Sequence, residues 1–154
     1  MPASRIEKQQ SLDTEQYHSV WIWITRICFA LVFLINIQCA FSFIFYPESY
    51  VVSYDLAGYA GPVAIMGIGV AFLMWNATYP LFIYRPQRYR ALGVIILIQQ
   101  LIGLIGESWI YMNLPTESLF LPSSILRFIA FDGVGLVIML IAFLGLIFSK
   151  NKTT

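Results

Sequence analysis

Residues 125–149, ILRFIAFDGVGLVIMLIAFLGLIFS, decide the fold class. The run carries Arg127 and Asp132 near its start and no further charge through Ser149. A helix crosses a hydrocarbon core of about 30 Å with about 20 residues at about 1.5 Å each, so this stretch is long enough to span a bilayer. Three runs of the same character precede it, roughly Val20 to Tyr46, Pro62 to Tyr84 and Ala91 to Met112. Backbone polar groups must be satisfied within the segment when lipid is the solvent, and runs this long and continuous do not suit barrel strands. The expected fold is therefore all-α, an integral membrane four-helix bundle of antiparallel up-down topology. A composition that is 59% hydrophobic and 11% charged over 154 residues agrees with one such domain. It spans 20–149, between tails at 1–19 and 150–154.

The distribution of charge orients the bundle. Arg5, Lys8, Arg26, Arg85, Arg88, Arg90, Lys150 and Lys152 all fall on one side of a four-pass path. The other side has Arg127 alone against Glu48, Asp55, Glu107, Glu117 and Asp132. By the positive-inside rule, the basic side and both termini are expected in the cytoplasm. The polar run before the first helix, and that helix's length, argue against a cleavable signal peptide. Cys28 and Cys39 lie about 16 Å apart along one helix, which is beyond disulfide reach and leaves them as small apolar residues.

Trp21, Trp23 and Arg26 read as an interfacial collar, with the Arg stem snorkelling to the headgroups. The outer loop 46–61 mixes turn formers with interfacial tyrosines. Pro80 and Pro86 bracket a tight turn between the second and third helices, and Pro115 and Pro122 lead into the fourth.

The candidate site lies between the third and fourth helices. Glu107 and Asp132 are expected at one depth near the outer face, each about 6 Å or more inside its helix by helical rise. Carboxylates in a membrane segment are costly and usually face the bundle interior, a partner or water. Arg127 is the nearby cation, and Gln100, Trp109 and Tyr111 complete a candidate ligand or proton site. Gln99, Gln100, Gly103, Gly106 and Glu107 fall on one helical stripe, which reads either as helix-packing glue or as one wall of that site. Asn36 shares a face with Phe29, Phe33, Ala40 and Phe43, and it is expected with Gly103, Gly106 and Gly133 at helix-helix contacts; Gln38 points away.

The only histidine is His18, in the tail, which argues against paired-histidine haem, histidine metal sites and Ser/His or Cys/His catalysis within the bilayer. There is no CxxC and no phosphate-binding Gly-rich loop. Catalytic, metal and cofactor residues are therefore expected to be none. The glycosylation patterns at Asn76 and Asn151 fall near the expected cytoplasmic side and read as chance. The group Arg85, Arg88 and Arg90 either sets topology or meets anionic headgroups or an acidic partner.

The chain resembles the DoxX-like small bacterial four-helix membrane proteins in Thr25-Arg26 opening helix 1, Tyr46-Pro47-Glu48 in the outer loop, Gly67-Ile68-Gly69 in helix 2 and the four-pass length. The resemblance implies a bacterial inner membrane and a partner or subunit role, since some DoxX-like proteins are linked to membrane redox or quinone-related assemblies.

The leading expectation is a non-catalytic accessory subunit or assembly factor that meets lipids, other membrane subunits or its own copies, and no nucleic acid. The alternative is a quinone or lipid site in an outer-leaflet cavity lined by Glu107, Asp132, Arg127, Trp109, Tyr111 and loop tyrosines. Proton-coupled transport ranks third, because the inner half offers few polar side chains.

Overall fold

The computed structural model describes residues 3–151, and side chains over 19–149. The described residues form α1 (Ala3–Phe45), α2 (Glu48–Val51), a 3-10 turn (Val52–Tyr54), α3 (Ala60–Asn76), α4 (Tyr79–Tyr84), α5 (Arg90–Met112) and α6 (Leu121–Asn151), with no strand among them. Four helical stretches are long and apolar enough to cross a membrane: Ser19–Phe45, Ala60–Tyr84, Arg90–Met112 and Leu121–Ser149. Their outward faces are apolar, with Ile27, Leu34, Ile102 and Val137 all exposed, as side chains solvated by lipid require.

α1 packs along α3, α4 and α6, and α5 packs along α6 and α4. Two sets of contacts fix the ends of the bundle. At the basic end, the Arg26 guanidinium donates to the Tyr84 carbonyl at 2.8 Å, and Thr25 Oγ1 lies 3.0 Å from the Ala142 carbonyl. Gly145 is the position against which the Trp21 ring lies, so that any Cβ there would overlap it. At the distal end, Ser124 donates to the Ser53 carbonyl at 2.7 Å, and the Leu121 N–H donates to Asp55 Oδ2 at 3.2 Å. Asp55 thereby satisfies one of the orphan donors that open α6. It does so from a left-handed backbone, φ 51°, a region that Asp tolerates better than most residues.

The second span departs from the expected continuous helix over 62–84. It breaks at Ala77 and Thr78, leaving α3 and α4 as separate pieces. Pro80 has no N–H to return to the Asn76 carbonyl four residues back, and Ala77 falls into a tighter turn onto Met74 O at 3.3 Å. The break carries Tyr79 and Phe82 into the core. There Phe82 meets Phe29 at a 4.6 Å ring separation, alongside Val32, Ile96, Met139 and Phe143. Gly93 admits this cluster: a Cβ on it would stand 2.6 Å from Phe143 and 2.7 Å from Phe82.

Cys28 and Cys39 are both free. Phe29, Ala40 and Phe43 are buried while Gln38 is exposed, matching the face expected around Asn36. Helix runs through the expected N-terminal tail from Ala3, and α6 begins at Leu121 rather than Ile125, with Pro122 in its first turn where a missing N–H costs nothing.

Candidate functional site

Three polar side chains form a connected line through the middle of the bundle. Gln100 Nε2 donates to Asp132 Oδ1 at 2.9 Å, and the Tyr79 hydroxyl donates to Gln100 Oε1 at 3.5 Å. The orientation of the Gln100 amide follows from these partners, a hydroxyl on its oxygen side and a carboxylate on its nitrogen side. Tyr79, Gln100 and Asp132 come from α4, α5 and α6 and are all buried. A second pair lies beside them: Asn36 Nδ2 donates to Asn76 Oδ1 at 3.4 Å, and Asn76 Nδ2 donates to the Phe72 carbonyl at 2.8 Å. Asn76 is 2% exposed at the last turn of α3, where the break gives its side chain a backbone acceptor.

Glu107 and Asp132 line one small cavity together with Asn36, Trp75, Asn76 and Gln100. Its free space is about 20 Å³, room for about one water molecule. Two of its lining groups are buried without a hydrogen-bond partner, Glu107 Oε2 and Trp75 Nε1. One is an acceptor and the other a donor. Gly103 sets the width of this cavity, since a Cβ there would stand 2.6 Å from Asp132 Oδ2 and 2.7 Å from Trp75 Cη2.

Glu107 also borders a larger apolar chamber of about 330 Å³, lined by Tyr54, Ile68, Phe72, Ile110, Ile125 and Phe128 among others. The chamber exists because α3 leans on α1 and α5 leans on α6, while α3 and α5 make no extensive contact with each other. A seam is left between them, with the exposed side chain of Ile110 at its edge. Phe72 and Phe128, 6.0 Å apart in an edge-to-face pair, belong to the walls of both chamber and small cavity.

Several expected site residues lie elsewhere. Trp109 is 66% exposed and Tyr111 40%, and neither lines a cavity with Glu107. Arg127 is exposed and faces a different chamber of about 290 Å³, with Cys39, Tyr50, Tyr54 and Phe131, where it donates to Ser124 Oγ at 3.3 Å. Among the packing positions, Gly106 has nothing within 4 Å of where a Cβ would be, and Gly133 has only Leu104 at 3.8 Å. Gly103 is a close approach as expected, and the others fall at Gly69, against the Ala40 carbonyl, and at Gly93 and Gly145. Trp75, Asn76 and Tyr79 are the site residues that sequence reasoning did not assign. The one signal near them was Pro80, which marks a helix end or a kink without saying which.

Tyr54, in the loop outside the spans, touches both larger chambers. Burial pushes its phenol above the usual tyrosine range, with Cys39 and Glu107 adding to the effect and Arg127 opposing it.

No family model, curated protein or solved structure matches this chain.

Proposed function

We propose that the protein binds a lipophile whose polar head carries both an oxygen acceptor and a hydroxyl donor, the class to which quinones and quinols belong. The apolar part occupies the chamber between α3, α5 and α6, and the head reaches Glu107 and Trp75. The observation that supports this reading is the position of Glu107, on the boundary between a 330 Å³ apolar chamber and a polar cavity, with Oε2 buried and unpartnered. A polar group left unsatisfied in this way costs about 1–3 kcal/mol, more when charged, and a ligand hydroxyl would relieve it. Trp75 Nε1 would donate to the head's other oxygen. Asp132 is already engaged by Gln100, so its role is to hold the wall in place. The chamber is at the lower end of the size range of small-molecule sites, about 300–1,000 Å³.

The bundle is read as a cell-membrane protein of up-down topology with its basic end in the cytoplasm, because the Arg85 to Arg90 turn and both ends of the chain carry the cations. Kinship with the DoxX-like proteins belongs to the same proposal and rests on the residues quoted for it.

Association with another membrane subunit is the second reading. It is favoured by Gly106, an exposed position on α5 where no neighbouring atom occupies the space and a partner helix could approach closely.

The test is purification from the native membrane in mild detergent, followed by mass spectrometry of every lipophile and protein that travels with it. A lipophile stoichiometric with the wild type and depleted about tenfold or more in Glu107→Gln is expected, the equivalent of one lost hydrogen bond to a buried carboxylate. Equal retention by both proteins rules out the site, and a stoichiometric protein companion without a lipophile favours the subunit reading.

A further inference from the structure

At the basic end a cavity of about 580 Å³ differs in kind from the chambers of the distal half, because guanidinium groups rather than aromatic rings dominate its wall. It is lined by Trp23 and Arg26 of α1 and by Arg85 and Arg88 of the turn between α4 and α5. Each cation is oriented by an aromatic face: Arg26 stands 5.0 Å from the Trp23 ring, Arg85 4.9 Å from Tyr84 and Arg88 5.7 Å from Tyr89. Arg26 is held further by its bond to the Tyr84 carbonyl, and its Nε is buried with no partner. None of the described carboxylates lines this cavity.

Its depth is also informative. Ser19 begins the first apolar span, Tyr84 ends the second and Arg90 begins the third, so the cavity lies where hydrocarbon gives way to headgroups. Directly toward the hydrocarbon, Ile27 of α1 and Leu81 of α4 are exposed. A ligand with an anionic head and acyl chains would match both halves.

We propose that this cavity binds the headgroup of an anionic phospholipid, with the phosphodiester between Arg26, Arg85 and Arg88 and the acyl chains along the exposed faces of α1 and α4. Arginine forks match phosphate oxygens in two-point geometry, and basic pockets between membrane helices take such headgroups. A zwitterionic lipid brings the same phosphate, but its ammonium finds no carboxylate among the described lining residues. Selectivity for net negative charge follows.

The test is thermal unfolding of the full chain in detergent with increasing dioctanoyl phosphatidylglycerol, dioctanoyl phosphatidylcholine or inorganic phosphate. Phosphatidylglycerol is expected to raise the unfolding midpoint at concentrations where the other two do not. Arg85→Gln combined with Arg88→Gln should need about tenfold more of that lipid, or beyond, for the same shift, since charge-assisted hydrogen bonds are lost. Both arginines are exposed, so the fold should tolerate the change. The lysine pair Arg85→Lys with Arg88→Lys should keep the preference for the anionic lipid at reduced affinity. Equal shifts with both lipids, or a glutamine pair that responds like the wild type, would overturn the site. An equal shift from inorganic phosphate would overturn the lipid assignment and leave free phosphate as the occupant.

Discussion

The Gln100 amide donates to Asp132 Oδ1 across 2.9 Å, and Gly103, one turn along α5, makes that approach possible by leaving 2.6 Å between the other carboxylate oxygen and the place a Cβ would fill. The α5–α6 contact is thus built around a carboxylate pressed onto a glycine. A buried carboxylate that lost its amide partner would remain as an uncompensated polar group in a dry setting, which makes the pairing obligatory rather than ornamental.

Gly103→Ala should therefore lower stability by about 1–3 kcal/mol, the usual cost of overpacking, because neither Asp132 nor the Trp75 ring can move without breaking another contact. Gly106→Ala, only three residues away, should be neutral or stabilise by up to about 1 kcal/mol through helix propensity, since nothing occupies its Cβ space. Thermal unfolding of the two variants in one detergent checks the contrast; a Gly106 variant as damaged as the Gly103 variant would contradict the packing described.

The same stripe shows how much of the site was legible beforehand. With about 100° per residue, Gln100 and Glu107 flank Gly103 on one side of the helix and Gln99 and Gly106 flank it on the other. The polar stripe was visible in the sequence, but its two flanks look alike until the neighbouring helices are known. Only the first flank meets the small cavity that Asp132 lines. Arg127 precedes Asp132 by five residues, about 140° around α6, and so cannot share its face. Trp109 fails for a similar reason, two residues from Glu107 and on the far side of α5. The four apolar spans were readable from length and hydropathy alone. The break at Ala77 and Thr78 was not, because a proline near a helix end reads equally well as a kink or a stop, and with it went Asn76 and Tyr79.

Trp75→Phe separates the ligand's contribution from that of the fold. Removing an N–H that has no partner in the ligand-free protein should leave the stability of the lipid-stripped bundle unchanged or slightly raised. Retention of the proposed lipophile should fall by about fivefold to a hundredfold for the loss of one hydrogen bond. Parallel unfolding and lipid-extraction assays read the two effects, and a variant that loses stability while keeping its lipophile would mean that the indole N–H already has a partner.

Tyr54 makes stability depend on alkaline pH. Its phenol ionises later in the folded protein than in the unfolded chain, so the folded state holds a proton that the unfolded state releases above about pH 10. The contribution of Tyr54 is present in full below that pH and declines as pH rises further. Unfolding midpoints between about pH 9 and about pH 12 should fall less steeply in Tyr54→Phe than in the wild type.

Photolabelling with a quinone-headed, diazirine-tailed probe in native membranes tests whether the seam between α3 and α5 takes up a lipophile. Saturable adducts on Ile68, Phe72, Ile110 or Phe128, competed by unlabelled quinone and lost in Glu107→Gln, are expected. Adducts confined to the outward face bearing Trp109 and Met112, or labelling that neither saturates nor responds to Glu107→Gln, would contradict a lipophile site in this bundle.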